Sequence, residues 1–205
     1  EASDLGYDVE TVLAPGPDRE QFMPGVRVLM LKLIVDRRSR RLLGAQATGA
    51  GGGDKRIDVA AMAIRNGMTV DEIAQADLCY APPYSPAMDN LITACNVARN
   101  KLEGAFAGIT AEEVKRKLDS REAFILLDLR TPQEYDLVHL PDSQLIPLAA
   151  LRGRLDTLPR DREIVTYCDI SLRGYEGAII LRSAGFENVR VLEGGLAMWP
   201  YATVG

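Results

Sequence analysis

One stretch organises the second half of the chain: Ile164-Val165-Thr166-Tyr167-Cys168-Asp169-Ile170-Ser171-Leu172-Arg173. Its first four residues are apolar or β-branched and predict a buried strand, and a helix is predicted from residues 174 to 184. Cys168 is therefore expected at a strand end, before a tight polar loop. Loop N–H groups and the helix N-terminus favour a thiolate or a bound anion there. Arg173 can close the loop with a positive charge, although a buried, inert cysteine is the alternative interpretation.

Helix and strand signals alternate on both sides of this stretch. Capping boxes at Thr110 and Thr131 begin two helices, and short buried strands are predicted at residues 124–128 and 189–192. This alternation is typical of a parallel sheet with covering helices. Residues 104–109 are interpreted as a linker. The sequence thus predicts an α/β domain with a mostly parallel sheet over residues 105–205.

Five motifs in order make residues 108–202 resemble a rhodanese domain. They begin at Asp128-Leu-Arg130, His139-Leu-Pro141, Ile146-Pro147, Tyr167-Cys168 and Leu192-Glu-Gly194-Gly195. The resemblance implies that Cys168 is the catalytic cysteine and carries sulfane sulfur as a persulfide. It also implies that the residues after Cys168 form the persulfide-binding loop, namely Asp169, Ile170, Ser171, Leu172 and Arg173.

The loop departs from the family pattern in ways that bear on the sulfur donor. Ser171 stands where a glycine is frequent, so a left-handed backbone is less favourable there. Asp169 places a negative charge beside the nucleophile and opposes an anionic donor such as thiosulfate, which favours a neutral or CoA-linked persulfide. Val138 replaces the usual glycine before His139. The four residues between Cys168 and Arg173 make a tighter loop than that of the related phosphatases, which favours sulfur transfer.

Other polar residues near these motifs are interpreted as a structural network. The group comprises Asp128, Arg130, Glu134 and His139. A hydrolase that pairs Cys168 with His139 remains an alternative.

The first half has a different pattern. Strands are predicted at residues 26–35 and 42–48, joined by an arginine-rich turn that is interpreted as a solvated hairpin tip. A helix capped by Asp54 is expected to bury Ile57, Ala60, Ala61 and Ile64. A short helix follows Thr69, and a third helix with a broad apolar face is predicted from residues 87 to 102. The glycine cluster at 49–53 is interpreted as a loop, because it lacks the dinucleotide-binding spacing.

Residues 8–103 resemble the dimerisation domain of pyridine nucleotide-disulfide oxidoreductases. The motifs are Asp54-Lys-Arg-Ile-Asp58 and Tyr80-Ala-Pro-Pro-Tyr84, in the branch that contains CoA-disulfide and NADH-dependent persulfide reductases. The resemblance implies an α+β domain over residues 1–104 and a homodimer built by residues 8–103. It also implies that Tyr80 and Tyr84 lie near a partner's reductase site, whereas packing on prolines is the alternative. FAD, NADH and CoA would belong to the full-length parent, and no cofactor is expected in this chain.

Composition bears on the partners, the location and the metal content of the protein. The 205 residues carry a net charge of -5, which argues against nucleic acid or an anionic membrane as the main partner. The sequence offers no signal-type apolar core and no membrane-length apolar run, so a cytoplasmic location is expected. It has one histidine and three cysteines without paired spacing, so no structural zinc site is predicted. Cys79 and Cys95 are expected to be small core residues.

Two functional hypotheses follow. In the first, the chain is the C-terminal part of an FAD- and NADH-dependent CoA-disulfide or CoA-persulfide/polysulfide reductase, and Cys168 exchanges sulfur with small persulfide, polysulfide or CoA thiol substrates. The absence of an initiator methionine indicates a piece of a longer protein. In the second, Asp169 and Ser171 have silenced the rhodanese-like fold, which then serves as a binding module on a dimerisation domain.

Overall fold

The computed structural model describes residues 2–205. Glu1, where the first predicted domain begins, lies outside the described residues. The chain forms two compact units, one ending at Ala105 and the other spanning Phe106–Gly205. Each unit has its own hydrophobic core, so each is described by itself.

The first unit contains an antiparallel three-stranded sheet in the order β1-β2-β3. The strands are β1 (Val9–Pro17), β2 (Val28–Asp36) and β3 (Leu42–Gly49). The two strands predicted from the sequence correspond to β2 and β3. The prediction did not identify β1, because its end reads Pro-Gly-Pro, a pattern of turns. Proline is tolerated there because β1 is an edge strand.

Three helices cover one face of this sheet: α1 (Gly53–Arg65), α2 (Val70–Ala74) and α3 (Asn90–Leu102). The side chain of Asp89 caps α3 by accepting from the N–H of Leu91. The helix therefore begins three residues later than predicted. Its apolar face packs into the core of the unit through Leu91, Ala94, Cys95 and Ala98.

Helix α1 faces the core partly as predicted, because Ala60 is buried and Ile64 packs against the core. The prediction is wrong at the N-cap, which is Gly52 and not Asp54, and at Ala61, which is exposed. Arg56 is buried as well, and an ion pair at 3.0 Å joins its guanidinium to the buried carboxylate of Asp89. This pairing partner lies 33 positions away, so the local pattern could not predict it.

The arginine-rich turn is not a freely solvated tip. Arg40 donates to both carboxylate oxygens of Asp71 and to Glu103, and Arg37 pairs with Glu10. Asp71 lies in α2 and Glu103 directly follows α3, so the tertiary fold places two carboxylates beside the turn.

The second unit is built on a parallel five-stranded sheet in the order β4-β8-β7-β5-β6. This sheet confirms the predicted fold class. Its strands are β4 (Gly108–Ile109), β5 (Phe124–Asp128), β6 (Gln144–Leu145), β7 (Glu163–Tyr167) and β8 (Val189–Leu192). The prediction of a linker through residue 109 is wrong at its end, because β4 pairs with β8. Two-residue strands such as β4 and β6 have too few residues to show a period.

Four helices flank the parallel sheet: α4 (Ala111–Asp119), α5 (Pro132–Leu137), α6 (Leu148–Leu151) and α7 (Leu172–Ser183). Both predicted capping boxes are present, at Thr110 and Thr131. Alternate residues of the strands feed two apolar clusters, so Ile164 and Val165 enter different ones. Because all the strands are parallel, the carboxyl ends of β5, β7 and β8 meet at one edge of the sheet.

Candidate functional site

Cys168 directly follows β7 at that edge of the sheet. Its exposed fraction is 1%, whereas the next residue, Asp169, is exposed. Helix α7 begins at Leu172 with Ser171 as the N-cap. The thiol therefore lies between a strand end and the N-terminus of a 12-residue helix, whose partial positive charge stabilises a thiolate or an outer persulfide sulfur.

Ser171 adopts the left-handed backbone conformation that the sequence pattern flagged, with φ 72° and ψ -21°. For a residue with a Cβ atom this conformation costs about 1–2 kcal/mol. The hydroxyl of Ser171 donates to the carbonyl oxygen of Leu192 at 2.9 Å, which ties the loop to the end of β8. The loop thus keeps its turn without a glycine at this position.

A second segment clamps the loop from the other side. The N–H of Leu196 donates to the carbonyl oxygen of Cys168, and the N–H of Ala197 donates to that of Asp169, both at 2.9 Å. Gly195 permits this approach, since a Cβ atom there would lie 2.4 Å from the carbonyl oxygen of Cys168. The sequence pattern alone did not indicate that Gly195 belongs to the site. Its φ of 58° and ψ of -153° belong to a region that only glycine adopts readily.

Arg173 does not offer a free positive charge to the loop. Its two terminal nitrogens donate to both carboxylate oxygens of Glu134, at 2.8 and 2.6 Å. The bond from Arg173 lowers the pKa of Glu134 to about 2, against the opposing effect of burial. Glu134 in turn raises the pKa of Arg173, and a smaller contribution to that rise comes from Cys168. The arginine therefore lies within reach of the thiol while it is paired with a carboxylate.

The remaining polar residues form the structural network that the sequence predicted. Buried Arg130 donates to both oxygens of buried Asp128 and to the carbonyl of Val138. The ring of His139 stacks on Tyr135 at a centroid distance of 3.8 Å, and its backbone pairs with Val204. Among the contacts of residues 2–205, none joins His139 to Cys168. The Cys168–His139 hydrolase therefore gains no geometric support.

The Tyr80–Tyr84 loop belongs to the first unit. Tyr84 is 73% exposed and Tyr80 is 49% exposed. The hydroxyl of Tyr80 donates to Glu20 at 3.4 Å, and partial burial, together with the Glu20 charge, raises the Tyr80 pKa. Both rings thus remain available for a contact outside the unit.

The loop that carries these tyrosines is anchored at its far end. Asp89 pairs with Arg56 and accepts from the hydroxyl of Ser85 at 3.2 Å. Arg56 also donates to the carbonyl of Gly52 at 2.9 Å, and a Cβ atom on Gly52 would lie 2.2 Å from the guanidinium. The glycine cluster therefore wraps an arginine of its own unit, and the geometry does not resemble a nucleotide cradle.

The two cysteines of the first unit differ. Cys95 is fully buried, and burial raises its pKa to about 12, with a smaller effect from Asp71. Cys79 is exposed, so the prediction of a core residue is correct for Cys95 and wrong for Cys79. The error arises because the Cys79 segment forms a loop, where the apolar character of the residue does not imply burial.

Within residues 2–205, no group of three or more metal-ligating side chains converges. Over the same residues, no helix has both the length and the apolar character needed to cross a membrane.

The carboxyl-edge cysteine, its loop and the five-stranded parallel sheet define the second unit as a rhodanese-like domain. Residues 110–201 match the family model for the rhodanese-like domain, and residues 1–92 match the one for the pyridine nucleotide-disulphide oxidoreductase dimerisation domain. The chain therefore combines a rhodanese domain with a pyridine nucleotide-disulphide oxidoreductase dimerisation domain, which confirms both resemblances seen in the sequence.

Similar solved structures and curated proteins support these two domain assignments. A NAD-dependent persulfide reductase from A. fulgidus is 47% identical with a TM-score of 0.88, over 97% of this chain and 35% of that chain. The reduced CoADR-RHD of Bacillus anthracis is 32% identical with a TM-score of 0.88, over 96% of this chain and 35% of that one. A sulfurtransferase from Allochromatium vinosum is 32% identical over 44% of this chain and 85% of its own length. The chain thus spans about a third of each of the two longer reductases.

Proposed function

We propose that the chain is the dimerising, sulfur-carrying part of an NADH- and FAD-dependent reductase of CoA persulfides, polysulfides or CoA disulfide. Cys168 is the persulfide carrier, and the loop from Asp169 to Arg173 holds the bound sulfur. The observation that carries this proposal is the position of Cys168, at the carboxyl end of β7 and before the N-terminus of α7. The relatives named as reductases support the assignment of the longer protein.

The sulfur-transfer step needs only a thiolate and a donor. The Cys168 thiolate attacks the outer sulfur of a persulfide R–S–SH. A new S–S bond forms at Cys168, the S–S bond of the donor breaks, and its electron pair leaves with the thiolate R–S⁻. Cys168 then carries –S–SH, and charge and sulfur are conserved. Loop N–H groups and the α7 N-terminus stabilise the negative charge on sulfur. Transfer to an acceptor thiolate reverses the same step.

In this proposal the first unit holds two copies of the chain together. Its dimerisation domain forms a homodimer through residues 8–103, and Tyr80 and Tyr84 face the partner's reductase site. FAD, NADH and CoA are bound by the longer protein, and the chain itself holds none of them. Sedimentation of the chain tests the assembly: a dimer supports it, and a monomer at every concentration contradicts it.

Mass spectrometry tests whether Cys168 carries the persulfide sulfur. After incubation with an alkyl persulfide, the peptide that contains Cys168 should gain about 32 Da, and the gain should vanish in Cys168→Ser. Exposed Cys79 and buried Cys95 serve as internal controls, and Cys79→Ser should load like the wild type. A label that falls only on Cys79 would show that the site is wrong, and a complete absence of loading would favour the silent binding module.

A further inference from the structure

The ion pair between Arg173 and Glu134 determines the charge around the thiol. Two parallel hydrogen bonds of 2.8 and 2.6 Å join the side chains. Glu134 is itself held in place, because its carboxylate accepts from the N–H and the hydroxyl of Thr131 at 2.9 and 2.8 Å. A carboxylate with four donors does not swing away from the arginine at low cost.

The charges at the loop therefore sum to a negative value. The unit charges of Arg173 and Glu134 cancel, and Asp169 adds an exposed negative charge next to Cys168. The N-terminus of α7 offsets roughly half of one charge. An incoming anion meets this field in proportion to its own charge, so a dianion is disfavoured more strongly than a monoanion.

We propose that Glu134, acting through Arg173, is a specificity-determining residue that restricts Cys168 to thiol-bound sulfur donors and disfavours inorganic dianions such as thiosulfate. The inference rests on the proposed role of Cys168 as a persulfide carrier. With thiosulfate, the Cys168 thiolate would attack the sulfane sulfur, and the S–S bond of thiosulfate would break to release sulfite. That route begins with two negative charges approaching the thiolate, whereas an alkyl persulfide brings at most one.

The test compares loading rates of Cys168 in the whole chain with thiosulfate and with an alkyl persulfide. Glu134→Gln removes the charge and retains an oxygen that accepts from Thr131. The matched control is Glu112→Gln, an exposed glutamate that makes the same charge change in the first turn of α4. Asp169→Asn is a second test variant, because its side chain is exposed and its removal of charge should not disturb folding.

The expected result is a change in donor preference. Glu134→Gln should accelerate loading from thiosulfate by about three- to tenfold, the scale of one charge across a partly solvated loop. The gain with the alkyl persulfide should be clearly smaller than that factor, because this donor brings at most one negative charge and reacts as the neutral R–S–SH. Asp169→Asn should shift the ratio in the same direction, and Glu112→Gln should leave it unchanged. A purely structural role for Glu134 would change both rates by the same factor.

The outcomes separate the two proposals. If both donors load the wild type but the ratio stays constant in Glu134→Gln and Asp169→Asn, the charge argument is overturned and the carrier role of Cys168 stands. If no donor loads Cys168 in the wild type, the carrier role fails, and the specificity inference fails with it. Fluorescence of Trp199, the only tryptophan of the chain, verifies that each variant is folded.

Discussion

Gly195→Ala should destabilise the rhodanese-like unit and displace the loop that holds Cys168. The new Cβ atom would lie 2.4 Å from the carbonyl oxygen of Cys168 and 2.6 Å from that of Asp169, and real Cβ atoms do not approach oxygen so closely. The backbone region of Gly195 costs a residue with a side chain about 1–3 kcal/mol. Relief of the clash breaks the hydrogen bonds to Leu196 and Ala197, at about 1 kcal/mol each. We expect a total loss of about 3–5 kcal/mol.

Urea unfolding followed by Trp199 fluorescence measures this loss. Trp199 is the only tryptophan and is buried in a core cluster of the second unit, so its emission reports that unit and not the first. The matched control is Gly153→Ala, where an added Cβ atom meets nothing within 4 Å. The control should change the free energy of unfolding by no more than about 0.5 kcal/mol.

Loading of Cys168 provides a second readout for Gly195→Ala. Displacement of the loop should slow persulfide loading by about tenfold or more, because a small misplacement of reacting groups is costly. If Gly195→Ala unfolds within about 1 kcal/mol of the wild type and loads at the wild-type rate, then the close approach of this segment does not determine the loop geometry.

Three further predictions concern single residues. Ser171→Ala and Ser171→Gly both lose the bond to Leu192, but only glycine removes the cost of the left-handed backbone, so Ser171→Ala should unfold about 1–2 kcal/mol more easily than Ser171→Gly by Trp199 fluorescence; equal stabilities would show that this backbone conformation costs nothing here. The pKa of Glu134 is lowered from 4.5 to about 2, so its contribution to the free energy of unfolding is present above pH 4.5 and is lost as the pH falls towards 2. The free energy of unfolding of Glu134→Gln should therefore depend less on pH in that window than that of Glu112→Gln. Iodoacetamide at neutral pH should label exposed Cys79 and spare Cys95, whose pKa is raised to about 12; rapid labelling of Cys95, detected by peptide mass, would show that the core of the first unit opens.

The features that the sequence predicted correctly depend on neighbouring residues. The capping boxes at Thr110 and Thr131 are four-residue motifs, and the structure shows both. The strand before Cys168 is predicted from an apolar and β-branched run, and the structure shows it as β7. Local chemistry determines these features, so a short window of sequence is sufficient to find them.

The features that the sequence did not reveal depend on partners far along the chain. Arg173 and Glu134 are 39 positions apart, so the sequence did not reveal that the positive charge predicted to close the loop is paired with a carboxylate. Arg56 is buried in an ion pair with Asp89, 33 positions away, so the local pattern did not reveal a buried charge in helix α1. Gly195 matters because two separate segments meet there. The pairing of charges and the close approach of backbones are tertiary properties, and no period or motif encodes them.

Sulfur transfer is compatible with a site in which the carboxylates, apart from that of exposed Asp169, are already paired. Within residues 2–205, Asp128 is bonded to Arg130, Glu134 is bonded to Arg173, and the hydroxyl of Tyr167 donates to Ser143. A hydrolase needs a base that can accept a proton in the reaction, and a carboxylate held by an arginine with its pKa lowered to about 2 is poorly suited to that role. A persulfide relay needs only an attacking thiolate, a leaving thiolate and a fixed position for the sulfur. In the proposed carrier the clamped loop around Cys168 supplies that position, whereas the paired carboxylates give a hydrolase no suitable base.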